Sequence, residues 1–104
     1  MFERIRNLFG ANPVMDFTQL IRNGATILDV RTKAEFETGH IPGAINIPLD
    51  RLSKNLGTLT DKNKPIITCC ASGMRSATVE QLLTSKGFIN VFNVGGWVNL
   101  MHKL

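Results

Sequence analysis

Short apolar runs rich in β-branched residues alternate along this chain with segments whose apolar residues recur every three or four positions. The first pattern marks strands buried in a sheet and the second marks helices with one buried face. Residues 25–30, 44–47, 65–69 and 90–94 read as strands. Phe17, Leu20 and Ile21 predict a helix that opens on an Asp16/Gln19 capping box and closes at Gly24. Thr32 and Glu35 form the same signature for a second, short helix ending at Gly39. Leu49, Leu52 and Leu56 predict a third, capped by Asp50, and residues 60–65 form a turn cluster. Val79, Leu82 and Leu83 predict a longer helix that stops at Gly87. Trp97, Leu100, Met101 and Leu104 predict a terminal helix with all four on its buried stripe. Strands alternating with helices give an α/β class with a small, mostly parallel sheet.

One strand runs directly into unusual chemistry. The stretch from Ile66 to Ser76 carries two adjacent cysteines into a short loop holding Gly73 and Arg75, followed by the longer helix. A thiol is a weak nucleophile until ionised, and backbone N–H groups, a helix N-terminus and a guanidinium all favour the thiolate. Gly73 lets the loop curl so that its amides face inward as an anion cradle. The pattern implies a cysteine that attacks or carries something in a site built for an anion.

The rest of the composition narrows the field. A chain of 104 residues supports one compact domain. No apolar stretch reaches the roughly 18 residues of a membrane span. The first ten residues lack the continuous apolar segment of a secretory signal, so a cytoplasmic location is expected. Neighbouring cysteines on a strand point to opposite faces, which argues against a disulfide framework and for reduced thiols. The formal charge of +4 comes from twelve basic residues scattered without a cluster, so nucleic-acid binding is not expected. Two histidines and two adjacent cysteines offer no ligand-spaced set, so no metal or other cofactor is expected.

Three segments resemble the signatures of single-domain rhodaneses. Cys70-Ala71-Ser72-Gly73-Met74-Arg75-Ser76 is similar to the family's C-x-S-G-x-R-S active loop. Residues 27–36, with Asp29, Val30, Arg31, Glu35 and Phe36, resemble its L-x-D-V-R-x-x-x-E-F segment, and residues 39–48 its G-H-I-P-G-A-x-N-x-P segment. The resemblance implies a rhodanese-like three-layer fold over residues 14–104, with helices on both faces of the sheet, after an N-terminal extension of residues 1–13. Phe2, Ile5 and Phe9 are helically spaced in that extension, which is expected to pack on the domain.

The resemblance also implies a sulfurtransferase that takes sulfane sulfur from a small anionic donor such as thiosulfate, holds it as a Cys70 persulfide, and passes it to cyanide, a thiol or a protein. Ala71 to Ser76 would cradle the anion, Arg75 would bind the donor, and a monomer is expected. Asp29 and Arg31 stand near the site, where an internal ion pair accounts for them as well as substrate contact does. Counting from Cys69 instead gives the C-x5-R spacing of cysteine phosphatases and arsenate reductases. Three features favour Cys70: the x-S-G-x-R-S that follows it, strand alternation that lets one thiol into the loop, and Thr68 where such phosphatases carry histidine. A third reading is a rhodanese-like binding module without catalysis.

Overall fold

A computed structural model describes residues 16–59 and 61–104. Expectations for residues 1–13 and for Thr60 fall outside the described residues.

Four strands, β1 (Thr26–Asp29), β2 (Ile45–Asn46), β3 (Ile66–Cys70) and β4 (Val91–Gly96), form a sheet in the order β2-β1-β3-β4, every pair parallel. Among the described residues, four α-helices accompany them: α1 (Phe17–Arg22), α2 (Lys33–Thr38), α3 (Met74–Ser85) and α4 (Trp97–Met101). The central strands carry apolar residues in adjacent pairs, and period-two alternation sends the members of each pair to opposite layers. Leu28, Ile66 and Cys70 join Val79, Leu83, Leu52 and Phe88 on one face. Ile27, Ile67 and Cys69 join Leu100 and Ile41 on the other, with Phe17, Leu20 and Trp97 packed around them. The sheet is thus sandwiched between α3 with the segment after β2 on one side and α1 with α4 on the other.

Helix starts follow the polar signals closely. Thr32 and Glu35 make a complete capping box on α2, side chain to backbone in both directions. At α1 the box is half made: Asp16 accepts from the Gln19 N–H, while the Gln19 side chain reaches Asn23 instead. The segment expected to be a helix capped by Asp50 is two short 3-10 helices, Leu49–Lys54 and Leu56–Thr58, and the first has Pro48 at its N-cap. Leu49 and Leu52 sit three apart, the repeat of a 3-10 turn, and Leu52 alone of the three leucines is fully buried. The terminal stripe is also shorter than expected. α4 ends at Met101, so Leu100 is buried and Met101 and Leu104 face outward.

Order β2-β1-β3-β4 reverses direction between β1 and β3, because the chain leaves β1 toward one edge and builds the other edge from β3. Ligands in open α/β sheets bind beyond the carboxyl ends of strands at such a reversal. Asp29 ends β1 and Cys70 ends β3, so both segments singled out by their chemistry arrive there together.

Candidate active site

After Cys70 the chain turns through Ala71 and Ser72 to Gly73, which caps α3 in the left-handed region at φ +102°. That turn folds the loop back over the sulfur. The Gly73 N–H donates to Cys70 Sγ at 2.8 Å, the Ser76 N–H at 3.4 Å, and the Ser76 hydroxyl stands 3.4 Å from the same atom. Close packing against β4 makes the fold-back feasible. A Cβ at Gly73 would lie 3.1 Å from the Gly95 Cα, and one at Gly96 would lie 2.9 Å from the Ala71 carbonyl oxygen. Only a chain without side chains at these positions lets the loop rest on the strand.

The two thiols have opposite electrostatics. For Cys70, burial pushes the pKa up, but the Ser76 hydroxyl and the N–H groups of Ser76, Gly73 and Ser72 outweigh it and hold the thiol below its ordinary value. The positive end of the 12-residue helix α3 acts in the same direction. Cys69 receives no such donors. Burial pushes its thiol up to about 12, with Asp29 adding to the shift and Arg31 opposing it. The C-x5-R count from Cys69 therefore begins at a thiol that faces the opposite core layer, among Ile27, Ile41, Ile67 and Leu100.

Sequence reasoning missed the residue that orients Ser76. Its hydroxyl lies 2.6 Å from Asn93 Oδ1 on β4, and that oxygen also accepts the Gly95 N–H at 2.8 Å. A hydroxyl has one proton and two lone pairs. With the proton given to Asn93, a lone pair faces a Cys70 S–H; on ionisation the proton can turn to the sulfur. Asn93 has no signal in its own neighbourhood, because its contact to Ser76 spans 17 positions.

Arg75 does not stand free. Its guanidinium makes a two-pronged pair with Glu35, Nη1 to Oε1 at 2.8 Å and Nη2 to Oε2 at 3.0 Å. The Arg75 guanidinium is the main reason that the Glu35 carboxyl is lowered to about 2, with the Thr32 N–H adding to it. Arg75 also lines a cavity of about 260 Å³ with Val30, Thr32, Pro48, Leu49 and Asp50. A groove of about 670 Å³ shares Thr32, Pro48 and Asp50 with it and extends past Lys33, Arg51 and Asn55.

Asp29 and Arg31 meet as an internal pair. Arg31 Nε and Nη2 reach the Asp29 carboxylate at 2.7–3.1 Å, Nη2 also donates to the Gly39 carbonyl at 2.7 Å, and the guanidinium lies 4.8 Å from the Trp97 ring centre. Both are buried, and Asn46 Nδ2 ties down the segment by donating to the Asp29 and Arg31 carbonyls. Their contacts are those of a brace under the site. Of the loop, Ala71 and Ser72 are exposed, Met74 is 79 % exposed, and Ser76 is buried. His40 packs flat on Phe36 and shares a 2.7 Å hydrogen bond with the Phe36 carbonyl, which fixes its turn.

The family model described as Rhodanese-like domain matches residues 14–103. The chain belongs to the rhodanese-like domain family. It is 34% identical over 70 residues to thiosulfate sulfurtransferase PspE of Escherichia coli (strain K12), covering 66% of this chain and 67% of PspE. It is 38% identical over 87 residues to the uncharacterized protein YibN of the same organism, covering 77% of this chain and 61% of YibN. Among solved structures, a rhodanese with anions from E. coli superposes with a TM-score of 0.69 at 30% identity, over 73% of this chain and 91% of that one. The chain thus spans about two thirds of the length of these two curated relatives. The four-stranded parallel sheet with helices on both faces is the fold that these rhodanese-like neighbours share.

Proposed function

We propose that this rhodanese-like domain is a sulfurtransferase in which Cys70 carries sulfane sulfur. The observation that carries this reading is the convergence of the Gly73 N–H, the Ser76 N–H and the Ser76 hydroxyl on one sulfur. Such a group holds negative charge on sulfur without a metal or a base. In the first half-reaction the Cys70 thiolate attacks the outer sulfur of the donor. The new Sγ–S bond forms, the donor's S–S bond breaks, and the electron pair leaves with the carrier group, sulfite in the case of thiosulfate. In the second, a nucleophilic acceptor takes the outer sulfur and the Cys70 thiolate returns. Splitting the transfer in two keeps donor and acceptor from having to meet.

Cys70 exposes no surface beneath its loop, so the amides of residues 71–75 must part to admit the donor. Once sulfur is added, the outer atom lies one S–S bond beyond Sγ, where the N–H groups around Cys70 can receive its charge. Asp29, Arg31 and Asn46 hold the adjoining β1 end in place while the loop moves.

Intact mass tests the reading directly. Wild type, Cys69→Ala and Cys70→Ser are treated with thiosulfate or an organic persulfide, desalted and weighed. Added sulfur on wild type and Cys69→Ala, and none on Cys70→Ser, is the expected result. Sulfur on none of the three with either donor would sink the proposal and leave a binding module as the reading of the domain. The relatives named thiosulfate sulfurtransferases support the first outcome.

A further inference from the structure

The guanidinium that the loop sequence offers to an anionic donor is already committed. Arg75 is clasped at two nitrogens by Glu35, and the cavity that Arg75 lines carries a second carboxylate, Asp50. Glu35 is not a side chain that happened to swing in. Its Oε1 also accepts the Thr32 N–H at 3.0 Å and the Thr32 hydroxyl at 3.1 Å, so the capping box of α2 holds the carboxylate in place while Arg75 meets it. Lys33 and Arg51 line only the wider groove beyond. Glu35 on the guanidinium and Asp50 on the cavity wall set two carboxylates around one guanidinium, one net negative charge in all.

We infer that Glu35 sets the donor class of this domain: by neutralising Arg75 it turns the site away from dianionic thiosulfate and toward persulfides, whose reacting end carries at most one charge. This inference rests on the sulfurtransferase reading above and refines it. The physical basis is that a dianion entering beside Glu35 and Asp50 meets twice the repulsion felt by a monoanion, at a pair whose side chains are 35% and 37% exposed, so that solvent and salt screen part of it. The amides around Cys70 are unaffected, because they respond to charge on the sulfur that is being transferred and not to the carrier group. With a persulfide R–S–SH, the Cys70 thiolate forms a bond to the outer sulfur, the donor's S–S bond breaks, and R–S⁻ leaves with the electron pair. The proton of the outer sulfur passes to the departing thiolate, so no oxidant or reductant is consumed. Met74, exposed and next to Arg75 in the loop, offers an apolar surface to a carrier group, which an inorganic donor cannot use.

The variant to make is Glu35→Gln, because the glutamine oxygen can keep the capping box of α2 while the negative charge and one of the two prongs to Arg75 are lost. Initial rates of thiocyanate formation are measured for wild type, Glu35→Gln, Asp50→Asn and Cys70→Ser, with cyanide as acceptor. The donors are thiosulfate and a small alkyl persulfide with no other charged group. For Glu35→Gln the expected result is a rise in kcat/KM for thiosulfate of about tenfold or more, carried mainly by KM, with the persulfide value changed less than about twofold. Asp50→Asn should move thiosulfate in the same direction by a smaller factor. If Glu35→Gln leaves the ratio of the two donors unchanged, or lowers the thiosulfate value, while Cys70→Ser is inactive with both, the donor-class inference is overturned and the sulfurtransferase reading stands. If Cys70→Ser keeps its activity, the sulfurtransferase reading itself fails.

Discussion

Removing the Ser76 hydroxyl isolates one contribution to the Cys70 thiolate. The hydroxyl stands 3.4 Å from Sγ, at the outer range for a sulfur acceptor, and of the groups that lower that pKa it acts most strongly against burial. A hydrogen bond to a charged acceptor contributes about 1.5–3 kcal/mol, and at this length a value just below that range applies, about 1.4 kcal/mol or one pH unit. Ser76 favours the ionised form, so Ser76→Ala should raise the Cys70 pKa by about one unit. At pH values well below the midpoint the thiolate fraction then falls about tenfold, while the more basic sulfur becomes more nucleophilic with a slope of about 0.4–0.5. The net loss in first-step rate is about threefold. Folding suffers little, about 1 kcal/mol, because Asn93 Oδ1 keeps the Gly95 N–H as a donor.

The assay is a pH titration of thiolate ultraviolet absorbance in a Cys69→Ala background, which needs no reagent to reach the covered sulfur. Wild type, Ser76→Ala and Ser76→Thr are compared, the last keeping the hydroxyl. A midpoint in Ser76→Ala that moves up by about one unit, with Ser76→Thr near wild type, is the expected pair. A Ser76→Ala midpoint within about 0.3 units of wild type would refute the reasoning and assign the thiolate to the amides alone.

Other perturbations follow from the same geometry. Gly96→Ala places a Cβ 2.9 Å from the Ala71 carbonyl oxygen, and overpacking of this kind costs about 1–3 kcal/mol, so a lower urea midpoint and loss of persulfide formation are expected together. Asp29→Asn leaves the buried Arg31 guanidinium with the Asn amide oxygen and the Glu35 and Gly39 carbonyls as partners and no carboxylate, a loss of about 3 kcal/mol to be read from chemical unfolding. Cys69 is protonated in the fold up to about 12 and ionises earlier in the unfolded chain, so its contribution is complete below the unfolded pKa and drains away as pH rises toward 12. The three units between its ordinary value of 9.0 and 12 set an upper bound of about 4 kcal/mol, and thermal melts at mildly and strongly alkaline pH should show a smaller drop in Cys69→Ala than in wild type.

Elements that bury apolar residues on both sides were the most legible in the sequence. Paired residues such as Ile27-Leu28 and Ile66-Ile67 can be satisfied only by a strand with a layer on each face, and they lie in β1 and β3. Caps were legible where the partners are three residues apart, as at Thr32 and Glu35. The 49–56 segment misled because leucines at 49, 52 and 56 fit an α-helix and a pair of 3-10 turns equally well, and the choice is made by Pro48 and the break at Asn55. At the site, the loop could be read as a unit because its hydrogen bonds close within six residues, from Cys70 to Ser76. Glu35 and Asn93 could not, because their contacts to Arg75 and Ser76 span 40 and 17 positions. Arg75 shows the consequence: its presence in the loop was visible, while the carboxylate that governs its charge was not.

Two chemically identical side chains, one residue apart, end in opposite states because of where β3 stops. Cys69 pairs with Gly95 and Cys70 with Gly96 in the register with β4, and the bulge between Thr68 and Cys69 leaves Val94 without a partner on β3. That extra residue carries the glycine pair of β4 to the strand's end, where bare backbone is needed for the loop to lie against it. Cys69, still inside the sheet, is packed among apolar side chains beside the Asp29–Arg31 pair and keeps its proton. Cys70 is the first position whose side chain can meet N–H groups not already spent on strand pairing, because Gly73 and Ser76 stand at the start of α3. The unspent donors of a helix N-terminus and the end of a parallel strand coincide at this one residue. Moving the cysteine back by one would deliver an inert, buried thiol to the opposite core, whatever the loop sequence that followed it.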